Sequence, residues 1–185
     1  MAHEWTSYQQ EASMSWIVVD VESDGPIPGE FSMICFGAVV VEEPIYKTFY
    51  GEVAPISDRT NLAAAAISGI SRAKHETFEL PEVVMARFAD WITANTKGRP
   101  IFVSDNPAFD WQFINYYFHK YTGANPFGYS ARRIGDLYCG IQKNAYAQWK
   151  HLRKTKHTHN PVDDARGNAE ALLAIRAMGL KVNFE

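Results

Sequence analysis

Apolar and polar positions in the first third of the chain follow the two-residue period of β-strands. Three short segments, at 16–21, 33–41 and 45–53, are rich in β-branched or aromatic residues, and along the third the side chains of Ile45, Lys47 and Phe49 alternate faces with those of Tyr46, Thr48 and Tyr50. A turn at 42–44 separates the last two segments, and a longer Gly/Pro loop at 24–29 follows the first. The pattern predicts an antiparallel meander of three strands.

Beyond Asn61 the apolar spacing becomes helical. An alanine-rich stretch breaks at Gly69, and Pro81 opens an amphipathic helix that runs to about Asn95. The remaining predicted elements are a strand at 100–103, a helix at about 109–121, a loop at 122–128, a short strand near Arg133, a helix at about 136–149 and a last helix from near Asp163 to Gly179. A meander followed by alternating helices and strands predicts an α/β fold, with a mixed sheet flanked by helices.

Length and composition narrow the class of protein. A chain of 185 residues with 46% hydrophobic residues fits one core, so residues 14–185 are expected to form one domain. Residues 1–13 are expected to be a flexible leader, because a second methionine, Met14, stands just before the first strand. Apolar runs are far shorter than the ~20 residues of a membrane span, and no secretory signal or disulfide framework is visible, which favours the cytoplasm. A net charge of −3 argues against coating nucleic acid by charge alone, although bound cations would supply positive charge locally.

Three groups of polar residues carry the candidate chemistry. Asp20 and Glu22 end the first strand at positions i and i+2, so their carboxylates point to the same face. Two carboxylates held close together favour the binding of a divalent cation. Asp110 falls in the first turn of the helix after the strand at 100–103. Each also has an ordinary structural explanation, as the polar end of a strand or as an acid favoured at a helix start.

The third group lies where a loop meets the last helix. His159 precedes the acids Asp163 and Asp164, of which one can cap the helix and the other can bind a metal. The alternative is a solvated loop histidine followed by an ordinary helix cap.

Taken in order, the three motifs resemble the DEDDh (DnaQ-like) superfamily of 3′–5′ exonucleases, which includes the proofreading epsilon subunit, RNase T and oligoribonuclease. The motifs are Asp-x-Glu on a strand, Asn-x-x-Phe-Asp at a helix start and His-x4-Asp at the last helix, and the resemblance covers residues 16 to about 178. It implies a ribonuclease H-like fold and a two-metal phosphodiesterase, in which carboxylates bind Mg²⁺ or Mn²⁺.

The resemblance also implies a role for each residue. Asp20, Glu22, Asp110 and Asp164 would bind the two divalent cations, and His159 would be the general base. His157 is the nearest competing histidine, Asp163 is expected to be a cap or a supporting group, and Asp136 is expected to be structural. The residues expected to contact substrate are Ser23, Asn106, Phe109, Gly69 and Ile70.

Several features depart from the family pattern or leave alternatives open. Asp105 stands where the family often has histidine before the second motif, so contacts to substrate phosphate or ribose are expected to differ. A basic run at 150–157 could hold the phosphates of the substrate strand or be a solvated surface loop.

The expected activity is removal of nucleoside 5′-monophosphates from single-stranded 3′ ends of DNA or RNA. The alternatives are an exoribonuclease of the RNase T or oligoribonuclease type, a non-catalytic nucleic-acid-binding module, and a hydrolase of small phosphoesters. Family members often act as homodimers, so a homodimer is an expectation of the resemblance.

Overall fold

The computed structural model describes residues 14–182 and 184, and a five-stranded mixed sheet forms its centre. The strands are β1 (Met14–Ser23), β2 (Met33–Val40), β3 (Thr48–Glu52), β4 (Arg99–Ser104) and β5 (Ala131–Arg133). Their order across the sheet is β3-β2-β1-β4-β5, with β1 to β3 antiparallel and with β4 and β5 parallel to β1. The predicted meander and mixed sheet are confirmed. The expected leader, at 1–13, lies outside the described residues.

Helices cover both faces of this sheet. They are α1 (Leu62–Ser68), α2 (Arg72–His75), α3 (Pro81–Asn95), α4 (Pro107–Tyr121), α5 (Ile134–Gln142) and α6 (Pro161–Ala177), with a short 3₁₀ helix at Lys150–Leu152. Within 14–182, no helix combines the length and the apolar character needed to cross a bilayer.

The period of two along β1 divides the core into two clusters. Ile17, Val19 and Val21 are buried in the cluster that contains the aromatic side chains of α3 and α4. Trp16 and Val18 belong to the cluster formed with α5 and α6. Because alternate side chains point to opposite faces, Asp20 and Glu22 continue the row of Trp16 and Val18 and face α6.

Two predicted elements were too long. The third strand begins at Thr48 rather than at residue 45, since the Ile45 carbonyl accepts a hydrogen bond from Arg166 Nη1 (3.0 Å) of α6. The helix predicted at 136–149 ends at Gln142, because Lys143 adopts a left-handed conformation (φ 50°). The backbone N–H of Lys143 donates hydrogen bonds to the carbonyls of Cys139 and Gly140 and so caps the helix.

Candidate active site

Three carboxylates meet at the carboxyl-terminal end of β1. One oxygen from each of Asp20, Glu22 and Asp164 lies within 4.8 Å of the others. The Asp164 side chain is 1% exposed and that of Glu22 is 12% exposed. The acids that the sequence predicted from β1 and from the last helix are therefore brought together, in a largely dry environment.

A glycine allows α6 to come this close to the sheet. Gly37 of β2 is the antiparallel partner of Asp20. A Cβ atom at this position would overlap with the backbone of Pro161 and Val162 in the first turn of α6. The helix therefore rests directly on the strand next to Asp20, and Asp164 follows within one turn. Sequence reasoning missed this contact, for which the available signal was a glycine inside an otherwise apolar strand.

Asp110 approaches Asp20 from the opposite layer of helices, close enough for its charge to raise the pKa of Asp20, but it is not among the three acids whose oxygens lie within 4.8 Å of one another. Its side chain is buried, and its Oδ1 accepts a hydrogen bond from the backbone N–H of Val21 (3.1 Å), between Asp20 and Glu22. The α4 helix begins at Pro107, two residues earlier than predicted, and the Asn106 carbonyl accepts from the N–H groups of Phe109 and Asp110. Asp110 consequently lies in the first helical turn, as predicted.

The protonation of this cluster reflects its crowding. Burial and the charge of Asp164 raise the pKa of Glu22 to about 7, and burial raises the pKa of Asp110 to about 7. Burial raises the pKa of Asp20 well above its ordinary value, and the charges of Asp110, Asp164 and Glu22 add to this effect. The acids thus outnumber the positive charge near them, and their oxygen atoms suit hard divalent cations such as Mg²⁺ or Mn²⁺.

His159 lies at the rim of the cluster in a strained conformation. Its φ is +60°, and its backbone N–H donates to Asp164 Oδ2 (3.0 Å). The ring is about half exposed, with Nδ1 3.9 Å from Glu22 Oε1. A non-glycine residue in the left-handed region costs energy and is retained where the surroundings fix it. The loop therefore holds this imidazole at the solvent side of the carboxylates.

His157 is closer to the carboxylates than the sequence suggested. Its Nδ1 lies 2.8 Å from Asp164 Oδ1, and its ring packs edge-to-face on that of His159 with centroids 4.3 Å apart. Its ring is therefore engaged with an acid of the cluster, whereas His159 presents its ring toward Glu22.

The acid next to Asp164 has a different position. The N-cap of α6 is Asn160, whose side chain accepts from the N–H groups of Val162 and Asp163, so Asp163 is not the cap. The helix begins two residues before Asp163, which places this acid inside the first turn. Its Oδ2 instead accepts from the Thr158 hydroxyl (3.2 Å) and supports the loop. Asp136, expected to be structural, pairs with Arg133 at the start of α5 (3.4 Å).

Arg153 is a buried cation beside the cluster, and sequence reasoning did not single it out. Its Nη2 donates to the Asp164 carbonyl (2.8 Å) and lies 3.4 Å from Asp164 Oδ1, with the side chain 11% exposed. Gly167 of α6 makes room, since a Cβ there would lie 2.8 Å from Arg153 Nε. The charge of Arg153 opposes the rise in the pKa of Asp20.

A cavity of about 330 Å³ opens beside Glu22. It is lined by Glu22, Ser23, Gly25, Pro26, Asn61, Ala64, Ile67 and Phe109. Of the predicted substrate residues, Ser23 and Phe109 line it, although the Ser23 hydroxyl donates to the Gly25 carbonyl (2.6 Å).

The other predicted substrate residues lie outside this lining. Asn106 is the exposed N-cap residue of α4, and Gly69 is the left-handed C-cap of α1, followed by Ile70. Ala64 and Ile67 of α1 face the cavity instead.

Comparison with known proteins agrees with this geometry. Residues 15–176 match the family described as the 3′-5′ exoribonuclease Rv2179c-like domain. The chain belongs to this family. It is also 38% identical over 183 residues to the 3′-5′ DNA exonuclease Cap18 of Escherichia coli, covering 92% of this chain and 96% of that protein.

Solved structures share the fold of this family member. The nuclease domain of 3′hExo, a DEDDh family member bound to rAMP, superposes with a TM-score of 0.73 at 17% identity, covering 96% of both chains. Cell-death related nuclease 4 has a TM-score of 0.70 at 17% identity, covering 89% of this chain and 64% of that chain. Exonuclease I of E. coli in complex with single-stranded DNA has a TM-score of 0.63 at 18% identity, covering 88% of this chain and 40% of that chain. The predicted ribonuclease H-like fold of DEDDh nucleases and the assignment as a 3′–5′ exonuclease are thus confirmed.

Proposed function

We propose that this chain hydrolyses phosphodiester bonds from single-stranded 3′ ends in a divalent-metal-dependent reaction and releases nucleoside 5′-monophosphates. The observation that carries the proposal is the convergence of Asp20, Glu22 and Asp164 within 4.8 Å, with Asp110 hydrogen-bonded between the two acids of β1. Four acids near the buried cation Arg153, which contacts Asp164, repel one another, and this repulsion costs stability unless metal cations bind there.

The four carboxylates would hold two Mg²⁺ or Mn²⁺ ions. When bound, such ions lower the pKa of a water molecule and stabilise charge on the attacking and leaving oxygens of an in-line displacement. The protein contributes fixed carboxylate positions: Asp110 is set by the Val21 amide, and Asp164 is set by the amides of Thr158 and His159.

His159 is the residue that we assign as general base. Its Nδ1 lies 3.9 Å from Glu22 Oε1, so this nitrogen faces the cluster and can take a proton from a water held there. His157 already contacts Asp164 at 2.8 Å, which suits a role in orienting that acid rather than in accepting a proton. The loop position keeps the His159 ring open to solvent, to which the proton can be passed on.

The cavity beside Glu22 supports the proposed action at a 3′ end. Phe109, Ala64 and Ile67 offer an apolar surface for a nucleobase within a volume of about 330 Å³, which Gly25 and Pro26 also line. A terminal nucleoside seated there would leave its 5′ phosphate at the carboxylates, and the strand would continue away from the cavity.

Similarity to Cap18 favours DNA as the substrate. Cap18 is named as a DNA exonuclease and is 38% identical along almost the whole chain, whereas the family description names an exoribonuclease. RNA is therefore the second candidate, and the two differ in the 2′-hydroxyl that a substrate would present to the cavity.

The decisive experiment is digestion of 3′-labelled and 5′-labelled single-stranded DNA and RNA of equal length with Mg²⁺ or Mn²⁺. Asp164→Asn is compared with Asp163→Asn, because both replace an acid in the first turn of α6 and only the first removes a carboxylate of the cluster. His159→Ala is compared with His119→Ala, which removes an exposed histidine at the end of α4.

The proposal expects a metal-dependent ladder that shortens from the 3′ end. Asp164→Asn should lower its rate at least ~10³-fold and His159→Ala about 10²- to 10⁴-fold, while both controls stay close to wild type. The faster polymer identifies the substrate. Cleavage that survives Asp164→Asn would refute the assigned site, and binding of both polymers without cleavage would favour the binding module instead.

A further inference from the structure

A small group of charged residues lies at the same edge of the sheet as the carboxylates, beyond the ends of β4 and β5. Lys150 Nζ is 2.9 Å from Asp105 Oδ2, and Arg133 Nε donates to the Asp105 carbonyl (3.2 Å). Asp105 follows β4, Arg133 ends β5 and Lys150 begins the 3₁₀ helix. Two cations from distant parts of the sequence therefore meet at Asp105, Lys150 at its carboxylate and Arg133 at its backbone carbonyl, while Arg133 Nη1 also pairs with Asp136 Oδ1 (3.4 Å).

The position of this group fits the path of a substrate strand. Strands β1, β4 and β5 are parallel, so their carboxyl ends share one edge, and two interstrand spacings place β5 about 10 Å from β1. Lys150 also lies one helical turn before Arg153, which contacts Asp164. The two cations are thus neighbours of the carboxylate cluster, whereas the nucleoside cavity lies at the end of β1 and α1.

The ion pairs within this group are exposed, so another anion can replace the Asp105 carboxylate. The side chains of Lys150 and Arg133 are 62% and 52% exposed, and that of Asp105 is 31% exposed. Ion pairs this exposed contribute little stability, so another oxyanion can replace the carboxylate at low cost. A phosphodiester offers such an oxyanion, and lysine and arginine are the usual partners of phosphate.

We propose that Lys150 and Arg133 form a binding subsite for a phosphate of the strand on the 5′ side of the scissile bond, and that the Asp105 carboxylate occupies the Lys150 side of this subsite in the free protein. The inference rests on the proposed function and adds to it two residues that bind the nucleic-acid strand. It makes Asp105 a competitor of the substrate, so removal of its charge strengthens binding. A purely structural ion pair would instead weaken the protein when either partner is replaced.

Two substrates separate this subsite from the catalytic centre. The first is a 5′-labelled single-stranded 12-mer, and the second is the p-nitrophenyl ester of thymidine 5′-monophosphate, which has no strand on its 5′ side. Lys150→Ala and Arg133→Ala should raise KM for the oligomer about fivefold with little loss of kcat. Each should also reduce the slope of log KM against log salt by about 1. Asp105→Asn should lower KM for the oligomer severalfold, and each oligomer effect should exceed any change on the ester.

The exposed pair Glu79–Arg87 supplies matched controls. It is 2.8 Å apart and lies beside the β3 edge, which is opposite to β5, so Glu79→Gln and Arg87→Ala change the same charges elsewhere. Both controls should leave KM for the oligomer and its salt slope as in wild type.

Binding in Ca²⁺, followed by fluorescence anisotropy of the labelled oligomer, gives a readout that does not need cleavage. Unaltered affinity in Lys150→Ala and Arg133→Ala, or weaker affinity in Asp105→Asn, would overturn the subsite even if the enzyme is active. Equal losses on oligomer and ester would assign the group a structural role. A wild type that cleaves neither substrate would refute the proposed function, while the affinities would still decide this inference.

Discussion

Gly37 of β2 lies directly beneath Pro161, the first residue of α6, and the helix and the strand touch there through their backbones. The contact fixes how far Asp164 stands from Asp20, the partner of Gly37 in the sheet. We predict that Gly37→Ala pushes α6 outward, because the methyl group has no space and a backbone cannot rotate away as a side chain can. Stability should fall by about 1–3 kcal/mol in urea unfolding.

The same change should separate the carboxylates. Weaker Mn²⁺ binding by calorimetry and lower exonuclease activity should therefore accompany the loss of stability. Gly140→Ala is the control, since a Cβ at Gly140 would meet open space within α5. It should leave activity as in wild type and be neutral or slightly stabilising. Full Mn²⁺ affinity in folded Gly37→Ala protein would disprove the proposed link between this contact and the site.

Arg153 is predicted to stabilise the protein most strongly when no metal is bound. Its guanidinium lies 3.4 Å from Asp164 Oδ1, and its positive charge opposes the rise in the pKa of Asp20. Arg153→Met should destabilise the metal-free protein by about 3 kcal/mol, because removing one partner leaves buried charge uncompensated. The loss should shrink at saturating Mg²⁺, which supplies positive charge to the same acids.

Arg153→Lys distinguishes the charge from the geometry. Lysine keeps the cation but loses the planar donor that reaches the Asp164 carbonyl (2.8 Å), so it should recover part of the metal-free stability. Melting temperatures with and without Mg²⁺ test this. An equal loss in both conditions would show that Arg153 contributes packing alone.

Sequence reasoning succeeded where the information is local. The period of two places Asp20 and Glu22 on one face of β1, and the helix-start pattern places Asp110 and Asp164 in first turns, as the structure has them. Helix ends were predicted less well where the conformation of a single residue ends the helix. Lys143 is an example, since its left-handed conformation ends α5 at Gln142, before the predicted end at 149. Propensity gives a lysine no preference for that conformation, so the boundary could not be predicted.

Relationships between distant residues were not predictable from the pattern. The approach of Pro161 to Gly37 joins positions more than 120 residues apart, and that of Lys150 to Asp105 depends on how the loop after α5 returns to the sheet. His157 illustrates the same limit. The sequence indicated this histidine only as a competitor of His159, yet the turn at His159 brings the Nδ1 atom of His157 to 2.8 Å from Asp164 Oδ1.

The metal-free protein is predicted to lose stability as pH rises from about 4 to about 7. The pKa values of Glu22 and Asp110 are about 7 in the folded chain, against ~4.3 and ~3.9 for unfolded glutamate and aspartate. The folded state therefore binds more protons across this window, and the linkage relation makes the free energy of unfolding fall with rising pH. For Glu22 alone the penalty reaches roughly 3–4 kcal/mol at alkaline pH.

Urea unfolding in EDTA at pH 5 and pH 8 measures this slope. Glu22→Gln should flatten it, whereas Glu52→Gln, an acid at the end of β3, should leave it as in wild type. Mg²⁺ should stabilise the wild type more at pH 8 than at pH 5, because the acids then bind it without losing protons. A free energy of unfolding that rises between pH 5 and pH 8 in EDTA would contradict the raised pKa values of these buried, crowded acids.

The cavity beside Glu22 is predicted to hold the 3′-terminal nucleoside. Phe109→Ala and Ile67→Ala remove apolar surface from its lining without touching a carboxylate, so KM should rise about tenfold for Phe109→Ala and less for Ile67→Ala.

Leu62→Ala is the matched control, because Leu62 is an exposed apolar residue of α1 (79% exposed) that does not line the cavity. Steady-state kinetics on the 12-mer and on the thymidine ester should show the same rise, since both substrates place a nucleoside there. Mn²⁺ affinity should remain that of the wild type. A KM that rises equally in Leu62→Ala, or not at all in Phe109→Ala, would place the terminal nucleoside elsewhere.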